Sequence, residues 1–360
     1  MRHHTSVVCP FTLVVEPMAR LANCELVDDP VYEALELQWF DDAELGTGLL
    51  VLLSRREDRR VDVYLEPSVR IDPSRFEIGA GIGTWTSTTF DVGRLEVAED
   101  GVDAEVRFHD RDGRLIEARF DDRGGRRRRR GRLLAPVGSG IDAPRSLLLV
   151  HLHGFDLLRR GGPNAPEVRI DGRLASTGVL PGRTLHRREL VKYASPVDVI
   201  TLNQASDGAA LPPLDPSSVR PADGGVEAIV AGEGAHRVRL ELRPAFPDVA
   251  ALADGAGAVG SWRVYAEGVP PLTGGSWMAI RRGEQVHVGM EVTERWRPGR
   301  VPLLIALVTR VVPVFRRWPT TYRWRATVTL GDEPTMVSRW ERTGDRDDSY
   351  GRATGSAAHG

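Results

Sequence analysis

The sequence predicts a mainly β protein, built as two antiparallel barrel or sandwich domains with few short helices. Three observations lead there. First, the 360 residues include 38 glycines and 24 prolines; inside a helix each glycine costs roughly 1 kcal/mol and each proline about 3, which excludes bundles and helical solenoids. Second, apolar and polar residues alternate with period two over many short segments, as strands with one buried face do. Third, turn sequences, Asp-Gly in particular, punctuate those segments at roughly 8–12-residue spacing.

The length suits about two domains of roughly 150 residues each, enough to bury cores without disulfides. Apolar residues make up 41% and charged residues 27%, the balance of a globular chain. No apolar run approaches the ~20 residues of a transmembrane helix, so a soluble globular protein is expected. Of 48 basic residues only Lys192 is lysine, and 50 acids leave a net charge of −2. That balance argues against nucleic acid as a partner. Cys9 and Cys24 fall in no CxxC or Cys/His spacing that holds zinc. The first residues lack the basic and long apolar regions of a signal peptide, so a reduced, cytoplasmic chain is expected.

Along the chain, Leu49–Pro67 reads as a hairpin: an apolar run, a charged turn near Arg55–Arg60, then Val61, Val63 and Leu65 alternating with polar residues. Gly83–Phe90, Arg94–Val97, Val102–Phe108 and Leu115–Phe120 continue as a meander across Ala98–Gly101 and Asp110–Gly113. The Arg-rich stretch 123–132 breaks the pattern and is expected to be a solvated loop, since so many guanidinium groups cannot be buried unpaired. Ser146–Leu152, Val168–Arg173, Leu190–Tyr193 and Val197–Leu202 are further strand candidates. Residues 206–225 collect prolines, serines and glycines and read as a linker between a β-domain at 1–205 and another at 226–343. The tail 344–360 is small, polar and expected to be disordered. In the second half Val226–Val230, His236–Leu242, Ser261–Tyr265 and Ser276–Val292 repeat the strand grammar, and Tyr322–Leu330 is expected to close the second sheet. The Ser276–Val292 hairpin resembles the first one, with Arg281-Arg282 echoing Arg55-Arg56 and Val286-x-Val288 echoing Val61-x-Val63, a weak sign of internal duplication. Val301–Phe315 is the most apolar stretch and the candidate for a single short helix or an interdomain connection.

Gly79-Ala-Gly81-Ile-Gly83 has the look of a phosphate loop but runs into a β-forming segment rather than a helix N-terminus, so a β-corner is the better reading. His151 and His153, two apart in a strand, share a face as paired metal ligands do. No third ligand follows at a diagnostic spacing, with Asp156 and Asp171 the conceivable ones, so no metal is expected and a hydrogen-bonded pair at a sheet end is preferred. There is no G-x-S-x-G, H-E-x-x-H or P-loop signature. Trp262, Trp277, Trp296, Trp318 and Trp324 crowd into the second half with Tyr265. They line a cavity for a large apolar ligand or simply fill the core. On the Gln285–Val292 strand, His287 and Glu291 share the face opposite the valines. They point into a cavity if the valines pack outward and into solvent if the valines pack inward. Arg126, Arg127, Arg128, Arg129 and Arg130 are candidates for anion or membrane contact. Arg310, Arg316, Arg317 and Trp318 beside the apolar stretch are candidates for membrane-surface contact.

Two β-rich halves, a proline-rich connector, and Gln38–Gly48 with its Trp39-Phe40-Asp41 leading into a hairpin resemble the tandem lipocalin-like superfamily, which includes carotenoid 1,2-hydratase and AttH-type proteins. The resemblance implies a hydrophobic polyene, terpenoid or polyketide held in or between the barrels, and hydration, isomerisation or cyclisation without a cofactor. On that reading Trp39, Trp262, Tyr265, Trp277 and Trp296 contact the ligand, and His287 and Glu291 are the catalytic acid/base pair. A non-catalytic carrier of a lipid or hydrophobic ligand, a protein peripheral to the membrane surface, and a structural protein whose tryptophans are only core are the alternatives.

Overall fold

The computed structural model describes residues 7–58, 60–73, 82–137, 142–159, 165–178, 188–211, 214, 219–222, 224–299 and 301–343. Among them the first half forms β1 (Leu13–Met18), β2 (Arg20–Glu25), β3 (Tyr32–Asp42), β4 (Gly46–Arg55), β5 (Val61–Leu65), β6 (Ile82–Ser87), β7 (Val92–Ala98), β8 (Gly101–His109), β9 (Leu115–Asp121), β10 (Gly131–Ala135), β11 (Leu147–Arg159), β12 (Glu167–Ile170), β13 (Arg173–Ala175), β14 (Arg188–Ala194) and β15 (Val197–Leu202). The second half adds β16 (Ser206–Ala210), β17 (Val219–Ala222), β18 (Gly225–Ala231), β19 (Val238–Pro247), β20 (Gly257–Ala266), β21 (Thr273–Arg282) and β22 (Gln285–Glu294). Helices α1 (Leu303–Val311) and α2 (Val314–Arg317) follow, then β23 (Tyr322–Thr329) and β24 (Thr335–Arg342). The protein is mainly β, with curled antiparallel sheets in barrel-like and sandwich arrangements.

Three sheets account for the strands. A ten-stranded sheet runs β1-β15-β11-β14-β2-β3-β4-β5-β6, with β10 also paired to β11. A five-stranded sheet runs β13-β12-β9-β8-β7, and a nine-stranded sheet runs β16-β24-β23-β22-β21-β20-β19-β18-β17. The meander over β7, β8 and β9 and the hairpins β4–β5 and β21–β22 are where the alternation places them. β5 and β6 pair in parallel. The two large sheets differ in connectivity: the nine-stranded one follows chain order from β18 to β24, whereas the ten-stranded one interleaves early and late strands.

Within the ten-stranded sheet β4 is buried on both faces, which explains its apolar run. Leu50 and Leu52 pack with Val61 and Val63 into a core shared with the second half. Leu49, Val51 and Leu53 pack the other way, against Val102, Ala104, Val106 and Phe108 of the five-stranded sheet. A strand covered on both sides loses its alternation, because every side chain leaves water. On the five-stranded side, the Tyr32 hydroxyl donates to Asp110 Oδ2 (3.0 Å) and Arg114 Nε donates to the same oxygen (2.8 Å), tying the β8–β9 turn to β3.

Several expectations need correction. Residues 206–225 are not only a connector: β16 pairs with β24 and β17 with β18, closing both ends of the nine-stranded sheet. That sheet does not end at Leu330, because β24 adds a further strand. The Arg-rich stretch is not wholly solvated. Arg128 is buried, donating to Asp122 and to the Tyr193 hydroxyl (2.9 Å), and the Arg130 guanidinium lies 5.5 Å from the centre of the Tyr193 ring. The burial cost of Arg128 is offset by a charged partner. The apolar stretch after residue 300 forms two short helices rather than one, broken at Val312-Pro313, where proline cannot continue the hydrogen bonding. Residues 79–81 and the tail 344–360 lie outside the described residues.

The halves are tied by the chain's beginning and by Asn203. Phe11 is fully buried, with its ring 4.5 Å from that of Phe246 and 5.7 Å from that of Trp324. The Val8 amide donates to Asp248 Oδ1 and the Val249 amide to the Val8 carbonyl, both at 3.1 Å. Asn203, at φ 50°, accepts from the Thr12 amide (3.0 Å) through its side chain and from Trp340 Nε1 (2.7 Å) through its carbonyl.

Candidate functional site

The site grows from one register. In the ten-stranded sheet β11 pairs with β15 so that His151 stands directly opposite Asp198. Strand alternation sends His153 to the same face, and the two imidazole centres lie 4.4 Å apart. His151 Nδ1 is 3.2 Å from Asp198 Oδ2, and His153 Nε2 is 2.6 Å from that oxygen.

A third imidazole arrives from the other half. A short 3-10 turn, Gly234–His236, leaves β18 and places His236 Nδ1 2.6 Å from Asp198 Oδ1. Gly232 permits the bend: its φ is +72°, and a Cβ there would meet the His236 carbonyl oxygen at 2.3 Å. Asp198 is fully buried, His151 is 1% exposed, and the His153 and His236 side chains are 12% and 28% exposed. The centre therefore has a closed floor and an edge open to solvent.

Burial alone would push the Asp198 carboxyl up. Hydrogen bonds from His151, His153 and His236, with the charge of His153, outweigh it and hold the group well below the usual carboxylate range. Burial pushes His151 down, against the pull of Asp198. The ionised Asp198 carboxylate accepts from the imidazole N–H groups, and burial disfavours the charged form of His151. His151, His153 and Asp198 offer three ligand atoms within 4.8 Å of one another; among the described residues no other set of three His, Cys, Asp or Glu groups does so.

Beside this centre lies a cleft of about 450 Å³ whose wall includes Arg237, Arg239, Tyr265, Glu267, Val269 and Pro270. Arg237 follows His236 in the chain, and its guanidinium has no acidic partner among the described residues. The Arg239 guanidinium lies 5.3 Å from the Tyr265 ring centre and pairs with Glu241 at 2.7 Å. Arg132 joins centre and cleft: its Nη1 donates to the Gly268 carbonyl (3.2 Å), and its charge adds to the burial that pushes His151 down.

The residues singled out from sequence are dispersed. Val286, Val288, Met290 and Val292 pack inward, so His287 and Glu291 face solvent on β22; His287 Nδ1 lies 3.2 Å from Thr327 Oγ1. Neither lines the cleft. Trp262, Trp277 and Trp296 are buried as core. The Trp262 indole N–H donates to the Ser276 and Glu291 carbonyls, and that of Trp277 to the Ser261 carbonyl. Trp39 is half-buried against the five-stranded side. Tyr265 alone of the aromatic candidates lines the cleft. Of the arginine run, Arg126, Arg127 and Arg129 are exposed, and Arg127 pairs loosely with Glu99 at 3.5 Å. Cys9 and Cys24 are free and buried, and burial pushes both thiols up to about 12.

Sequence reasoning found His151 and His153 but missed Asp198 and His236. The conceivable third ligands are elsewhere: Asp156 lies 3.3 Å from the Tyr193 hydroxyl and 3.9 Å from Arg128, and Asp171 occupies the β12–β13 turn at φ 52°. The available signal was that a His-x-His strand needs a neighbouring strand to supply its partner, and Val197-Asp198-Val199 is an alternating strand with one acid. For His236 no local signal exists. Compared with family models, curated proteins and solved structures, the chain matches none.

Proposed function

We propose that the protein binds a hydrophobic small molecule carrying an anionic end, seated in the cleft beside the Asp198 centre. The observation that carries this reading is the cleft wall, where Arg237 without an acidic partner stands with Tyr265, Val269 and Pro270. An aromatic and aliphatic surface takes the body of such a ligand, and a guanidinium takes a carboxylate or phosphate with paired hydrogen bonds. The lipocalin-like resemblance supports a hydrophobic ligand, with this cleft as its place rather than the tryptophan-filled core. The test is binding of a dansyl-labelled fatty acid and of the matching fatty alcohol. The acid binds more tightly, and Arg237→Ala weakens it about tenfold, the equivalent of ~1.4 kcal/mol, while leaving the alcohol unaffected. Failure of both probes to bind, together with no small molecule released when the purified protein is denatured and extracted, overturns the reading.

A second reading has its own observation. Helix α1 leaves Leu303 (89% exposed), Leu307 and Val311 on one stripe, with Arg310 and Arg316 exposed nearby. Such a stripe with basic flanks suits peripheral contact with an anionic lipid surface.

A further inference from the structure

We infer that His151, His153 and Asp198 form a three-ligand binding site for a divalent transition-metal cation of the zinc type, with His236 holding the other carboxylate oxygen of Asp198 in place. This stands on the cluster's geometry and does not depend on what the cleft holds. It departs from the sequence expectation, which lacked a third ligand.

Nitrogen and carboxylate donors in this number are a zinc donor set. Zinc takes His nitrogen and carboxylate oxygen at about 2.0–2.2 Å, so neighbouring ligand atoms in a tetrahedral site stand roughly 3.4 Å apart. Here the separations from Asp198 are 3.2 Å for His151 and 2.6 Å for His153, and the set formed by His151, His153 and Asp198 falls within 4.8 Å. The three ligand atoms already converge on one point, and the fourth position of a tetrahedral site stays open. Two neighbouring rings 4.4 Å apart on one strand face put a ring nitrogen from each beside the same carboxylate oxygen, where one cation can use both lone pairs. The partly exposed edges of His153 and His236 provide an entry path. All three ligands come from the first half, and the second half reaches them through the His236 hydrogen bond to Asp198 Oδ1.

The test uses the full chain stripped with a chelator, then titrated with Zn²⁺ by calorimetry and with Co²⁺ by visible absorption. The expected result is one equivalent per chain and the intense absorption of low-coordinate cobalt. His153→Ala weakens binding a hundredfold or more, and His236→Ala weakens it at least tenfold. His109→Ala, at an exposed histidine of β8, changes nothing. Both cluster substitutions are at partly exposed positions, and circular dichroism establishes that each variant is folded. Absence of stoichiometric binding, or binding of wild-type strength in folded His153→Ala, overturns the inference.

Discussion

At the scale of single residues, buried charge is handled in two ways. Arg128 is paired with nearby Asp122 and with Tyr193 of β14, and Asp198 is held ionised by histidines of β11 and by His236. Glu36 is treated differently. On β3 it accepts from Asn23 Nδ2 (2.9 Å) and Gln38 Nε2 (2.5 Å), yet burial pushes its carboxyl above the usual range because these hydrogen bonds and the charge of Lys192 only partly compensate. The sign follows from linkage. A carboxyl whose folded pKa exceeds its unfolded value, about 4.3 for glutamate, stabilises the fold fully below that unfolded value and loses this contribution as pH rises through the folded pKa. Glu36→Gln removes that dependence. In urea unfolding from pH 4 to pH 7, the stability of the variant relative to wild type should therefore rise with pH; parallel pH profiles would show that Glu36 carries no such linkage.

Among the elements, β4 and α1 show how context sets what an apolar run means. In β4 the run is buried on both faces, so no alternation remains. In α1 a comparable run is anchored by Ile305, which is buried, and a Cβ at Gly131 of β10 would meet Ile305 Cδ1 at 2.3 Å, so glycine there admits the helix. Leu303, Leu307 and Val311 along its outer stripe are exposed. If that stripe meets lipid, wild-type protein sediments with phosphatidylserine-containing vesicles at low salt, and Leu303→Asp or Leu307→Asp releases most of it with little change in folding. Equal sedimentation of wild type and both variants would remove the membrane reading.

For the whole molecule, the shared core predicts one cooperative unit. Phe11 belongs to the first half by sequence and to the second by packing, so Phe11→Ala should cost about 3–5 kcal/mol and lower the stability of both halves together. Calorimetry should show a single transition in wild type and variant; two separated transitions, with only one moved by the substitution, would contradict it. Much of this architecture was legible. Period-two alternation and Asp-Gly turns gave the β class, the β7–β9 meander and the inward valines of β22, because these are local consequences of the pleat. The strand pair His151 and His153 was legible for the same reason. What remained hidden is non-local. The residues of β16 and β17 read as linker because edge strands with glycine and proline carry little apolar pattern. The tryptophans read equally as cavity or core until their indole N–H groups met backbone carbonyls. The sequence by itself determined that this chain makes β-strands and which faces turn inward. Only the tertiary structure decided that Asp198 and His236 meet His151 and His153, since strand order and the joining of two halves depend on long-range packing that no local period encodes.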